Sequence, residues 1–160
     1  MTNSDFNNFY MQMALDEAYL AYSEGEVPVG CVIIDRLTKT IVSRAHNMSQ
    51  QNHNPNLHAE MIALDIACKK NNNKNLSNCD IYITLEPCTM CASAISNARI
   101  SRMYYAASDT KQGAVENGVR FYTTSSCFYR PEIYSGLQKV ESEEIITSFF
   151  SKLRENRQDV

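Results

Sequence analysis

Ile81-Tyr82-Ile83-Thr84-Leu85-Glu86-Pro87-Cys88-Thr89-Met90-Cys91 changes character midway. Ile81 to Leu85 is a short apolar run following an asparagine-rich loop over residues 71–78, the pattern of a buried strand. Pro87 suits the opening of a helix, since proline lacks an amide that the first turn leaves unpaired, and the helix is expected over roughly Cys88 to Asn97. A strand running into a helix is half of an alternating layered fold.

The flanking chain continues the alternation. Upstream, Phe6, Tyr10, Met13 and Leu20 recur at spacings near three and four, which predicts a helix from about Asp5 to Glu24 with Ser4 as N-cap and Gly25 as stop. Val29 to Ile34, rich in β-branched residues, and Thr40 to Ser43 predict a hairpin with a buried first strand. A polar loop from about His46 to Asn56 leads to Pro55, which suits a second helix opening, and to a helix over His58 to Lys70. Downstream, Met103 to Ala107 reads as a strand, and Ser108 to Pro131 has no clear period. Ser142 followed by Glu143 and Glu144 reads as an N-cap with acidic residues favoured by the helix dipole, and Ile145, Ile146, Phe149, Phe150 and Leu153 form a stripe expected to dock on the core. The expected class is α/β, with a sheet between helices, in one domain spanning residues 1–160.

Composition sets the outer limits. A chain of 160 residues, 44% hydrophobic and 21% charged, buries one sizeable core and is neither disordered nor collagen-like. No stretch is long and apolar enough for a membrane helix, and the polar start Met1-Thr2-Asn3-Ser4-Asp5 lacks the layout of a signal peptide, so a cytoplasmic protein is expected. In that reducing setting the six cysteines read as thiols or metal ligands. The net charge of −3 argues against a nucleic-acid binder, yet residues 99–130 carry five basic against two acidic side chains. Arg99, Arg102, Lys111, Arg120 and Arg130 are the phosphate partners this block offers.

Two short motifs carry chemistry: His58-Ala59-Glu60 and Pro87-Cys88-Thr89-Met90-Cys91. Cys88 and Cys91, three apart at a helix start, project from one face, where the dipole and free amides favour the thiolate that binds metal. His58 adds a nitrogen donor from another helix start. Two sulfurs and one imidazole suit tetrahedral zinc with a fourth position open to water, which loses its proton near neutrality there. Glu60, two residues beyond the histidine, is placed to move protons without binding metal. Taken singly, Cys-x-x-Cys reads as a redox pair or two buried thiols, and a histidine at a helix start as a cap; together they favour zinc. A closed structural site needs a fourth ligand, for which His46, His53, Cys31, Cys68, Cys79 and Cys127 are the nominees.

This constellation resembles the signature of the zinc-dependent nucleoside and nucleobase deaminases. The strings Glu26-Val27-Pro28-Val29-Gly30, His58-Ala59-Glu60, Thr84 to Ala92, Asp109-Thr110-Lys111-Gln112-Gly113-Ala114 and Phe149-Phe150 are similar to those of the bacterial tRNA-specific adenosine deaminases, a likeness running from about residue 6 to 155. The resemblance implies a three-layer α/β/α cytidine deaminase-like fold with a mixed five-stranded sheet, a homodimer, and conversion of adenosine to inosine at the wobble position of a tRNA anticodon, chiefly an arginine tRNA. It implies one zinc ion per chain on His58, Cys88 and Cys91, with Glu60 as proton shuttle. Asn47 is implied to hydrogen-bond the flipped base and Val29 to pack on it, with Ala59 and Pro87 also among the substrate-binding residues. Asn54, Leu57 and Ala106 depart from the common pattern at positions that affect loop shape rather than ligands. The competing readings are a deaminase of a free base or nucleotide, such as guanine, cytosine or deoxycytidylate, and a non-catalytic zinc-stabilised binding module.

Overall fold

Alternate positions along the central strands separate into two cores. In β1 (Gly30–Asp35), β3 (Cys79–Leu85) and β4 (Arg102–Ala107), Cys31, Ile33, Ile81, Ile83, Met103 and Tyr105 belong to one, and Val32, Ile34, Tyr82, Tyr104 and Ala106 to the other. All are buried, so the sheet must be covered on both faces. On the first face α2 (Ala59–Asn71) and α3 (Thr89–Asn97) contribute Ala63, Leu64, Ala67, Ala92 and Ile95. On the second, α1 (Asn3–Ser23) contributes Tyr10, Met11 and Ala14, and α4 (Lys139–Gln158) packs beside it, with the rings of Tyr22 and Phe149 5.7 Å apart. The computed structural model describes residues 1–158; the domain expected from the sequence runs to 160, and Asp159 and Val160 lie outside the described residues.

With β2 (Ile41–His46) and β5 (Glu132–Ser135) the sheet has five strands in the order β2-β1-β3-β4-β5. β1 is antiparallel to β2 and β3, while β4 is parallel to β3 and β5. This is the mixed five-stranded sheet, in three layers, that the resemblance implies. On the α1 face, tyrosines form a ladder: Tyr82 and Tyr104 stack at 4.5 Å, Tyr104 and Tyr134 at 4.9 Å, and Tyr10 leans on Tyr82 at 5.3 Å. Helix α1 crosses the start of β1 so closely that a Cβ at Gly30 would run into the Ala14 carbonyl and Ala18 amide, which explains a glycine in an otherwise β-branched strand.

Because β3 and β4 are parallel, the segments leaving them emerge side by side. The Glu86 amide donates to the Ala107 carbonyl at 2.8 Å, so Glu86-Pro87-Cys88 and Ser108-Asp109 share one edge of the sheet.

Several local expectations are corrected. Thr2, not Ser4, caps α1, through a reciprocal box in which Thr2 Oγ1 accepts from the Asp5 amide and the Asp5 carboxylate accepts from the Thr2 amide. Pro55 sits in a turn and Pro87 directly before the cap, because His58 and Cys88 are themselves the N-cap residues of α2 and α3. The second hairpin strand is shifted to Ile41–His46, and β5 has no counterpart in the expected elements. Helix α4 begins one turn earlier than expected, so Ser142 is not its cap; it is buried and its hydroxyl donates to the Thr84 carbonyl, tying α4 to β3. Of the α4 stripe, Ile145 and Phe149 dock, while Phe150 and Leu153 remain exposed.

Candidate active site

Two helices start at one point. His58 caps α2, Cys88 caps α3, and Cys91 lies in the first turn of α3, so the histidine and both thiols converge beyond the end of β3. His58 Nδ1 stands 3.6 Å from Cys88 Sγ and 3.5 Å from Cys91 Sγ. A tetrahedral zinc with metal–sulfur and metal–nitrogen bonds of about 2.3 and 2.0 Å imposes a separation of about 3.6 Å between such donors. The trio therefore fits the metal in spacing as well as donor type. Among the described residues no other group of His, Cys, Asp or Glu side chains converges in this way, and no fourth protein donor joins this one. His46, one of the nominated fourth ligands, is held elsewhere between Glu17 and Glu24, each at 2.8 Å.

Local fields favour this set. Hydrogen bonds from Cys91 and His58 bring the Cys88 thiol down to about 4, overcoming burial, which makes it a thiolate at neutral pH. Cys91 is pushed up because its proton bridges to Cys88 and its surroundings are buried. His58 is raised chiefly by its hydrogen bond to Cys88.

Glu60, in the first turn of α2, is 3% exposed, and its Oε2 has no hydrogen-bond partner. Burial raises its pKa to about 7. An orphaned carboxylate oxygen at a proton-exchanging pKa is expensive in a framework and useful at a reaction centre. It faces a cavity of about 130 Å³ whose lining includes His58 and Cys88, with Val27, Val29 and Leu85 as apolar wall, Asn47 at one side and Asp109 and Gln112 at another. The Asn47 side chain is oriented by Oδ1, which accepts from the Ala59 amide at 2.8 Å, while the backbone N–H of Asn47 donates to the Val29 carbonyl at 3.2 Å.

The remaining expected site residues fall in different places. Ala59 and Pro87 act through backbone: Ala59 orients Asn47, and the Pro87 carbonyl accepts from the Ala114 amide at 2.9 Å. Lys111 is exposed on the far side of Gln112, beside Cys88 and Met90. Arg102 opens β4 and so lies at the opposite end of the strands, roughly 15 Å from the edge that carries the cleft. It pairs there with Glu132 at 3.3 Å, which removes it from the phosphate partners of the cleft. A larger cavity of about 340 Å³ at that far end, lined by Asp80, Arg102 and tyrosines, holds no ligand trio. Asn54 closes its own turn by accepting from the Asn56 amide, the Leu57 carbonyl accepts from the Met48 amide, and Ala106 is buried against α1. The departures thus shape the loop before His58 and the opposite core, away from the donors.

Two buried carboxylates beside the cleft had no assigned role: Glu26, which accepts from the Gln50 and Gln51 amides, and Glu86. Their signal was present as acidic residues inside otherwise apolar strings, Glu26 before Val27-Pro28-Val29 and Glu86 after Ile81 to Leu85.

Fold and site together define a zinc-binding deaminase centre. The profile of the cytidine and deoxycytidylate deaminase zinc-binding region matches residues 4–107, and the chain belongs to that family. A narrower grouping comes from its relatives. It is 50% identical over 144 residues to the tRNA-specific adenosine deaminase of Rickettsia typhi, covering 90% of this chain and 97% of that one. It is 45% identical over 145 residues to that of Agrobacterium fabrum, covering 91% and 94%. A solved structure from a study of A-to-I editing by tRNA deaminases at the wobble position superposes with a TM-score of 0.82 at 44% identity, covering 86% of this chain and 98% of that one. Among deaminases, the chain falls with the tRNA-specific adenosine deaminases.

Proposed function

We propose that this chain hydrolytically deaminates adenosine to inosine at the wobble position of a tRNA anticodon, chiefly that of an arginine tRNA. The observation carrying the chemistry is Glu60: a buried carboxylate with a free oxygen, facing a cavity beside a three-donor metal set. One zinc ion, held by His58, Cys88 and Cys91, supplies water activated for attack near neutral pH.

The chain's residues do the rest. Water oxygen adds to C6 of the adenine, the C6–N bond breaks, and ammonia leaves. Glu60 takes one water proton and delivers it to the ring nitrogen N1, then takes the remaining proton from the hydroxyl now on C6 and delivers it to the departing amine, leaving a C6 carbonyl, a role suited to a carboxyl group at about 7. With Oδ1 committed to Ala59, Asn47 has its Nδ2 available to donate to an acceptor on the base, which fixes the base's orientation. Val29 packs on the base, and with Val27 and Leu85 forms the apolar wall that keeps bulk water away. An anticodon loop suits such a cavity because its bases are already partly unstacked and swing out at low cost. The names and identities of the relatives support a tRNA substrate.

The reading extends to a cytoplasmic homodimer with one deaminase domain per chain. No helix among the described residues is long and apolar enough to cross a membrane. Cys91, Ala92 and Ile95 enter the core, and the half-buried Met90, Ser93 and Ala94 of the same run support an interface beside the cleft; light scattering that finds only an 18.2 kDa species at micromolar concentration would remove the dimer. The activity is tested by incubating the purified protein with total tRNA and mapping inosine, then comparing an anticodon stem-loop with free adenosine. The stem-loop is expected to be converted and free adenosine to be nearly inert. Turnover of a free base or nucleotide, with none on the stem-loop, overturns the assignment.

A further inference from the structure

Residues 108–120 lack helix and strand, yet this segment supplies a wall of the cleft through Asp109 and Gln112. Backbone amides in such a segment need acceptors from elsewhere. They find them on Glu86, which is 2% exposed and follows β3 directly. Its Oε1 accepts from the amides of Val115, Glu116 and Asn117 at 3.1, 2.8 and 2.9 Å. Its Oε2 accepts from the Asp109 amide at 2.9 Å and from Asn117 Nδ2 at 2.7 Å.

The arrangement continues to the rim. Asp109, anchored by its amide, accepts on its own carboxylate from the amides of Lys111 and Gln112, so the turn lining the cavity is built outward from Glu86. Gly113 then brings the chain back against Cys88; a Cβ there would sit 2.5–2.6 Å from the Glu86 carboxyl group and would also strike the Asp109 carbonyl. Glu26, across the cleft, takes only two amides, so the two carboxylates are unequal as anchors.

We infer that Glu86 is a positioning residue for the substrate: its carboxylate is the template on which the 109–117 loop folds, and binding of the RNA loop in the cleft depends on it. The inference rests on the cleft being the adenosine site. With all five contacts spent on the loop, Glu86 acts on the reaction only through the wall it holds.

Glu86→Gln tests this, because the side chain keeps its size while an NH₂ replaces an oxygen that faces N–H donors. Expected is a KM for the anticodon stem-loop raised roughly tenfold to a hundredfold, with kcat within about threefold and zinc content unchanged. Hydrogen exchange of the Asp109, Val115, Glu116 and Asn117 amides accelerates while that of β1 and β3 does not. Asn117→Ala, which removes one donor and leaves the carboxylate, is expected to shift KM and exchange in the same direction by less, and decides the matter if the glutamine variant fails to fold. Unchanged KM and exchange overturn the inference. So does loss of zinc, or an equal fall in kcat, since either would place Glu86 in support of the metal turn. Failure of the functional reading is separate: it appears as wild-type protein inactive on the stem-loop, before any variant is compared.

Discussion

Glu60 and Asp80 are the same kind of group in two different settings. Each is a carboxylate almost wholly buried, each has an oxygen without a hydrogen-bond partner, and burial raises each, Glu60 to about 7 and Asp80 to about 6. Asp80 stands near the start of β3 with Arg36 Nε 3.4 Å away and Arg102 nearby, so its charge is answered by fixed cations. Glu60 stands past the other end of that strand, facing a cavity, a histidine and two thiols. A raised pKa therefore records removal from water and nothing more. Reactivity comes from what the group faces: Asp80 lines a cavity shared with Arg102 and tyrosines, whereas Glu60 lines one that it shares with His58 and Cys88.

The sharpest way to break the contrast is to dismantle what Glu60 faces. Cys88→Ala combined with Cys91→Ala is expected to abolish both zinc binding and deamination; stoichiometric zinc in that variant, read by metal analysis, would remove the trio. Next comes the carboxylate itself. Glu60→Gln is expected to keep metal and fold but to lose roughly a hundredfold to ten-thousandfold in rate, whereas Asp80→Asn stays within about twofold of wild type. Equal losses in the two variants, by steady-state kinetics, would erase the distinction.

Asp80 should show itself in stability instead. Its pKa is higher in the folded chain than the ordinary 3.8, so the folded state holds more protons between about pH 4 and pH 6, and stability falls as pH rises through that window. The loss attributable to this side chain is about 2–3 kcal/mol. Thermal or urea melts at pH 4, 5, 6 and 7 are expected to show wild type losing more stability over that range than Asp80→Asn. Parallel profiles would mean that Arg36 and Arg102 compensate the charge fully. The smallest effect belongs to exposed charge beside the cleft: Lys111→Ala should lower the salt slope of stem-loop binding by about one, and Arg102→Ala should leave it unchanged.

The metal trio and Glu60 were legible in the sequence because few residue types ligate zinc and because each sits at a helix start, a feature with local signals. The central strands were legible for a different reason, as short apolar runs rich in β-branched residues and bounded by polar loops. β5 was not: Glu132–Ser135 is mostly exposed and acquires its strand form from parallel pairing with β4, from Arg102↔Glu132 to Tyr105↔Ser135. The Ser142-Glu143-Glu144 pattern is a sound cap by composition, but its hydroxyl is drawn away to Thr84, far back in the chain. The 109–117 loop follows no period because its amides answer to a carboxylate 23 to 31 residues earlier. The basic block was visible as composition, but which of its members reach the cleft depends on strand direction, and that sent Arg102 to the other end.

The tyrosine ladder gives the molecule an uneven optical voice. The chain has no tryptophan, so its intrinsic ultraviolet emission comes from tyrosine, and the stacked rings of Tyr82, Tyr104 and Tyr134 with Tyr10 gather much of that signal on the α1 face. Separation of α1 from the sheet, or of β5 from β4, would be audible there. Events in the zinc cleft, on the opposite side of the sheet, would be heard instead through Tyr122, whose hydroxyl donates to the carbonyl of Ala92, next to Cys91.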